Sequence, residues 1–221
     1  MLVAYYAYNG YDGQSYSNLM PGFSSVPLNS YSDPSVVDSV INTMATDMGT
    51  DKGLPASSTG TGDTTFWYAL DGEKWTVADD LAYGYTPSLE DGLYKYITLA
   101  GYNIDASDVF NQLIYGYDDN TQGFTFAQFE AQINDGIPLM VELDGHSMLG
   151  YGYSTDNGTD TIYVHDTWNS GGGTMAWGGD YGGMQMVAVT DFLPVPEPCG
   201  LLLDVVCLLG LAVFRIKSPA A

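Results

Sequence analysis

The change of hydrophobic periodicity at Pro138 constrains the fold of this chain more than any other feature. After it, short segments of alternating apolar residues are separated by Gly, Asn and Asp turns, which is typical of strands joined by hairpins. The predicted strands are Leu139 to Leu143, Met148 to Ser154, Thr161 to His165, Met175 to Trp177 and Met184 to Thr190. Before Pro138 the spacing is helical. Helices first and strands afterwards predict an α+β fold with an antiparallel sheet in the C-terminal part.

Capping signals place the helices of the N-terminal part. The three predicted helices run from Asp33 to Met48, from Ser88 to Gly101 and from Thr125 to Asp135. Each begins at an Asp, Ser or Thr that is able to accept a hydrogen bond from the first free backbone N–H groups. Met1 to Tyr8 is apolar but lacks the basic region and the cleavage site of a signal peptide. It is interpreted as the last turns of a helix whose upstream part is missing.

The charge of the chain excludes one class of partner. Asp and Glu number 27 against 5 Lys and Arg, so the formal net charge is -22 at pH 7. Such a surface repels phosphate backbones, and no nucleic-acid binding is expected. The sequence contains no CxxC or HExxH metal motif and no glycine loop that cradles phosphate before a helix, so neither a cofactor nor a metal is expected.

The C-terminal end differs from the rest of the chain. Residues 193–198 form a Pro-rich linker, and residues 199–217 begin with sixteen residues that are apolar except for Asp204. Sixteen helical residues rise about 24 Å, less than the roughly 30 Å of a bilayer core, and Asp204 makes insertion only weakly favourable. Arg215 and Lys217 follow, which predicts a transmembrane helix with a cytoplasmic end. A core helix of a soluble fold is the alternative, and the prolines before the segment disfavour it.

The residues of this end resemble a known signal. Val195-Pro196-Glu197-Pro198, the apolar stretch and the basic end are similar to the PEP-CTERM sorting signal of Gram-negative bacteria. The resemblance implies an exosortase-type sorting enzyme as partner, at least transient membrane anchoring at the C-terminus, and a location in the cell envelope or outside the cell. The acid within the span and the two basic residues in place of an arginine cluster depart from that pattern.

Two residues of the predicted sheet are candidates for chemistry. His146 opens the second strand and Asp166 ends the third, and the hairpin at Asp156 brings these strand ends together. Asp166 would then accept a hydrogen bond from one ring nitrogen of His146, and the other nitrogen would face a cleft. An acid that orients a histidine is what a nucleophile-activating base requires, although such a pair is also common in purely structural roles. His165 is assigned a surface or supporting role. Core packing is expected for Trp168 and Trp177, with a place in the wall of the cleft as the alternative.

The stretch from Gly136 to Trp168 resembles papain-fold cysteine peptidases of the bacteriocin-processing, C39-like type. The resemblance extends more loosely over residues 1–192, and it implies a papain-like fold with His146 as the base and Asp166 as its orienter. In that family a nucleophilic Cys begins an N-terminal helix after an oxyanion-stabilising Gln, and both would precede residue 1. Cys199 and Cys207 lie at the C-terminal end and cannot substitute. Inactivity is therefore expected of this chain; a peptide or protein substrate is expected only with an upstream nucleophile.

Three hypotheses remain open at this point. The first is a truncated copy of a secreted peptidase, and the second is a non-catalytic surface or matrix module that binds through its 18 Tyr and 4 Trp residues. The third is a different hydrolase or metal-dependent enzyme that uses His146, Asp166 and other acidic residues.

Overall fold

The computed structural model describes residues 1–23, 34–50, 63–169 and 171–192. The helices are α1 Leu2–Asn9, α2 Tyr16–Leu19, α3 Pro34–Asp47, α4 Val77–Tyr83, α5 Leu89–Leu99 and α6 Phe126–Asn134. The strands are β1 Trp75–Thr76, β2 Val109–Leu113, β3 Leu139–Leu143, β4 His146–Ser154, β5 Thr161–His165, β6 Gly173–Ala176, β7 Asp180–Tyr181 and β8 Met184–Phe192. The mixed helical and antiparallel architecture predicted from the sequence is confirmed.

All strands join one antiparallel sheet in the order β1-β2-β8-β3-β4-β5-β6, and β7 pairs with β8 as well. The strand β8 lies between β2 and β3, so residues far apart in the sequence meet in its neighbourhood. The prediction that helices alone fill the first two thirds is wrong, because β1 and β2 precede residue 114 and β2 is fully buried. Asn111 and Gln112 interrupt the apolar pattern of β2, which conceals it in the sequence.

The sheet separates two apolar clusters because side chains of a strand alternate between its faces. On one face Val141 and Met148 pack with α6, where Phe129 is fully buried, a burial that contributes about 2 kcal/mol. On the other face Met140 and Leu149 pack with the cluster formed by α1, α2, α3 and α5. Both faces of β3 are thus covered, and a polar side chain on this strand needs a partner inside the protein.

The predicted helix starts are confirmed where the structure describes them. Ser88 accepts a hydrogen bond from Asp91 N, and Thr125 forms a capping box with Gln128. The predicted cap Asp33 and the whole predicted membrane span lie outside the described residues. Among the described residues, no helix has the length and apolar character needed to cross a membrane.

Candidate active site

The imidazole of His146 is held by the backbone of Asp166. Its Nε2 atom lies 2.8 Å from the Asp166 carbonyl oxygen. A carbonyl oxygen only accepts hydrogen bonds, so Nε2 carries the proton and a neutral ring keeps its free electron pair on Nδ1. Within the described part of the chain, Nδ1 makes no hydrogen bond. The ring therefore has the tautomer of a base whose Nδ1 is available to a ligand.

Strand register explains how the ring reaches this carbonyl. Leu149 lies opposite His165 at the end of β5, so the start of β4 extends past β5 toward the turn that follows it. Trp168 in that turn stacks on the His146 ring with 4.1 Å between centroids and 14° between planes. The Trp168 side chain is 58% exposed, so one face of the imidazole is covered by a residue at the surface.

The expected hydrogen bond from His146 to the Asp166 carboxylate is not the one observed. That carboxylate accepts four other hydrogen bonds: from Trp168 N (3.0 Å), Asn169 N (2.9 Å), Asn169 Nδ2 (2.9 Å) and Tyr181 Oη (2.7 Å). The bonds from Tyr181 and Asn169 lower the pKa of Asp166. Asp166 thus contacts the histidine through its carbonyl and shapes, through its carboxylate, the turn that presents Trp168.

A cavity of about 650 Å³ opens beside His146, at the end of the sheet where β3 turns into β4. Residues of this turn, Asp144 and Gly145, line it together with Ser147. Leu89 from α5 and Val187 from β8 complete part of its wall. A concave site of this volume accommodates a few residues of an extended peptide or a small molecule.

Glu142 is a second titratable group of this cavity, and sequence reasoning missed it. Its side chain is 2% exposed, and it accepts hydrogen bonds from Ser147 Oγ and, at 2.9 Å, from Thr190 Oγ1. Burial raises the pKa of Glu142 to about 7. Thr190 also donates to Asn111 Oδ1 at 2.6 Å, and one hydroxyl proton cannot serve both acceptors at once. A protonated Glu142 resolves this competition by donating to Thr190.

The predictions for the two tryptophans have different outcomes. Trp177 packs against Phe124, Phe126 and Phe129, so the prediction of core packing is confirmed for this residue. The same prediction is wrong for Trp168, whose ring lies on His146 at the surface.

Glu142 could have been found from the sequence, because it is an acid inside the apolar strand β3. Tyr181 gave no comparable signal, because its contact with Asp166 depends on the path of the β6–β7 connection.

Within the described ranges, no group of three or more His, Cys, Asp or Glu side chains is arranged to hold a metal ion.

A model of the peptidase C39-like family matches residues 28–185. No curated protein and no solved structure matches the chain. The matched range includes His146, Asp166 and every residue that lines the cavity except Val187.

Proposed function

The chain belongs to the peptidase C39-like family, and from this premise we propose that its folded part binds peptides at the His146 cavity without hydrolysing them. The family match supports a peptidase-like domain. The proposal extends it to a papain-like cysteine peptidase fold over residues 1–192, with His146 in the position of the base and Asp166 as its positioning residue.

One observation carries the proposal: the His146 ring is fixed in a single tautomer beside an open cavity. Nε2 is bound to the Asp166 carbonyl, one ring face is covered by Trp168, and the ring lines the cavity. This arrangement leaves Nδ1 with its free electron pair and with no partner among the described residues, which is what a general base requires. The same geometry suits hydrogen bonding to a peptide N–H group.

No thiol group lies in the part of the chain that the structure describes. The two cysteines of the sequence, Cys199 and Cys207, lie outside the described residues. In a cysteine peptidase the base acts by deprotonating the thiol, and removal of the nucleophile abolishes nearly all catalysis. Binding without cleavage is therefore the activity expected of this chain.

The test is a binding and hydrolysis assay on the purified full chain with a pool of fluorescently labelled peptides. We expect measurable binding and no cleavage products. His146→Ala should weaken binding about tenfold, since it removes both the hydrogen-bonding group and the support of Trp168. His165→Ala is the matched control and should leave binding unchanged. Cleavage by the wild-type chain, or binding that is indifferent to His146→Ala, would contradict the proposal.

We also propose that residues 193–198 act as a linker and residues 199–217 as a sorting and anchoring tail handled by an exosortase-type enzyme. The Pro-rich motif and the apolar stretch before Arg215 and Lys217 support this. An exported reporter fused to residues 193–221 should enter the membrane fraction of a Gram-negative host. Asp204→Leu should increase that fraction because it removes a cost of about 2.5 to 3.5 kcal/mol. A reporter that stays soluble in both forms would refute the anchoring role.

A second candidate function, a non-catalytic module that binds neutral polysaccharide, is favoured by a patch of four aromatic side chains. The aromatic patch consists of Trp67, Trp75, Tyr83 and Tyr85, with stacked neighbours 4.4 to 6.1 Å apart. Each indole N–H is already bound, to Tyr85 O or to Asp80 Oδ1, which fixes the rings. The net charge disfavours anionic glycans as ligands.

Sedimentation with insoluble neutral polysaccharide distinguishes the two candidates. If the patch binds, Tyr83→Ala should release the protein, because Tyr83 is 66% exposed and available for stacking. Tyr115→Ala, which removes a similarly exposed ring elsewhere, should not release it. His146→Ala should have no effect on this binding. A protein that stays in solution in all forms would eliminate the second candidate.

A further inference from the structure

The cavity beside His146 combines acidic and aromatic side chains. Its carboxyl groups belong to Asp63, Glu142 and Asp144, and its aromatic rings to Phe66, Tyr68 and Tyr117. No lysine or arginine lines it within the described residues. Carboxylates next to ring faces form an environment that favours cations, because both the charge and the ring quadrupole attract them.

The lysine side chains of the described residues are engaged elsewhere. Lys95 Nζ is paired with Asp91 at 2.5 Å on α5, and Lys74 Nζ lies 3.8 Å from the centroid of the Phe110 ring. These two are the lysines of the described ranges, which contain no arginine. The protein thus brings no positive side chain of its own to the cavity in this part of the chain.

Glu142 gives the cavity a fixed acceptor at its base. When Glu142 is ionised, Ser147 Oγ donates to one carboxyl oxygen and Thr190 Oγ1 to the other, in place of Asn111, and each oxygen retains capacity for a further hydrogen bond. The Tyr68 hydroxyl has a raised pKa through burial and the neighbouring charge of Glu142, so it stays a neutral donor or acceptor. Asp144 is exposed at the mouth, on the turn between β3 and β4. One carboxyl is therefore buried at the base and a second is accessible at the entrance.

We propose that this cavity is a subsite for a cationic group of a bound peptide, with Glu142 and Asp144 as its specificity-determining carboxyls. The cation is an arginine or lysine side chain or the N-terminal ammonium. The inference rests on the proposed peptide binding and names its substrate class. An incoming cation offsets the cost of ionising the buried Glu142, which gives cationic peptides their advantage over neutral ones.

Calorimetry of the full chain at pH 7.5 with three synthetic pentapeptides tests the subsite. The first is acetylated and amidated with a central arginine among alanines, and the second carries citrulline, a neutral isostere, in its place. The third is all alanine with a free N-terminus. The arginine peptide should bind about tenfold more tightly than the citrulline peptide. Tight binding of the third peptide instead would assign the subsite to an N-terminal ammonium.

Three variants test which carboxyl groups cause the preference for arginine over citrulline. Glu142→Gln keeps the shape and hydrogen-bonding oxygen of the side chain but should abolish the preference for arginine over citrulline. Asp144 lies on an exposed turn, and Asp144→Asn should reduce the preference about threefold. This variant tests the subsite if circular dichroism shows that Glu142→Gln does not fold. Glu73→Gln removes an exposed charge that does not line the cavity and should leave the preference intact.

The outcomes separate the two proposals. Equal binding of all three peptides would overturn the cationic subsite and leave peptide binding standing. An arginine preference that survives in both Glu142→Gln and Asp144→Asn would also overturn the assignment to these carboxyls. Binding of none of the peptides would refute the proposed function together with the subsite.

Discussion

The two tryptophans of the C-terminal part have different roles: one stabilises the fold and the other holds the histidine of the site. Trp177 packs among three phenylalanines, whereas Trp168 lies largely exposed on the His146 ring. Trp177→Ala should lower the free energy of unfolding by about 1 to 3 kcal/mol because it removes a half-buried ring from its contacts with the core. Trp168→Ala should cost less than about 1 kcal/mol yet weaken peptide binding, since the imidazole loses its stacking partner. Urea denaturation and calorimetry measure the two effects, and equal losses of stability would contradict the division.

The backbone of Thr167 allows a second prediction at this scale. Thr167 has φ +64, a conformation that costs a β-branched residue about 1 to 2 kcal/mol. Thr167→Gly should therefore stabilise the protein by roughly 0.5 kcal/mol after the extra entropy of glycine in the unfolded chain is subtracted. Thr159, with φ -115, is the control, and Thr159→Gly should destabilise. Destabilisation of both variants in urea titrations would show that the turn gains nothing from glycine.

At the level of the site, the sequence predicts which residues meet but not through which atoms. Hairpin geometry brings His146 and Asp166 together, and alternation along strands is enough to anticipate it. The acceptor is nevertheless a carbonyl, because Trp168, Asn169 and Tyr181 occupy the Asp166 carboxylate. Competition among donors in a turn depends on the three-dimensional path of the chain, and no one-dimensional pattern encodes it.

At the level of elements, two N-caps that each accept a hydrogen bond from the N–H three residues on should contribute differently to stability. Thr125 at the start of α6 is half-buried and satisfies one N–H of its helix, so Thr125→Ala should cost about 1 kcal/mol. Ser88 at the start of α5 is buried and also donates to Asp80 Oδ2 at 2.6 Å. Ser88→Ala should cost about 2 kcal/mol or more, because it removes a donor from a buried carboxyl as well as the cap. Thermal unfolding of both variants checks the order, and a larger loss for Thr125→Ala would contradict it.

Elements with a clear periodicity or a cap were predictable, and the others needed tertiary information. The strands β3 and β5 have the predicted bounds, because turn residues flank a compact apolar run. The strand β2 was not predicted, because the amide N–H groups of its buried Asn111 and Gln112 donate to carbonyls distant in the sequence, Trp67 O and Gly72 O. The short helix α4 had a readable signal in the capping box of Thr76 and Asp79, but its seven residues carry little periodicity.

At the scale of the whole molecule, buried acids link stability to pH. Burial raises the pKa of Glu142 to about 7 and that of Asp191 to about 6, from ordinary values of 4.5 and 3.8. Burial also raises the pKa of Glu90, which lies near Asp80. A carboxyl whose pKa is higher in the folded state favours folding while it is protonated, and this contribution is lost as the pH rises through the folded-state pKa. The net charge of -22 adds repulsion in the same direction.

The free energy of unfolding should therefore fall as the pH rises from 5 to 8, the reverse of a protein stabilised by salt-bridged carboxylates. Glu142 alone accounts for about 2 to 3 kcal/mol of this fall, because its pKa shift from 4.5 to about 7 is mostly traversed in that window. Glu142→Gln mimics the protonated acid, so it should be more stable than the wild type at pH 8 and similar to it near pH 5. Glu73→Gln, at the surface, should retain the wild-type slope apart from a small charge effect. Urea titrations across this range measure the slopes, and a Glu142→Gln slope equal to that of the wild type would show that this carboxyl is ionised in the folded protein at no cost.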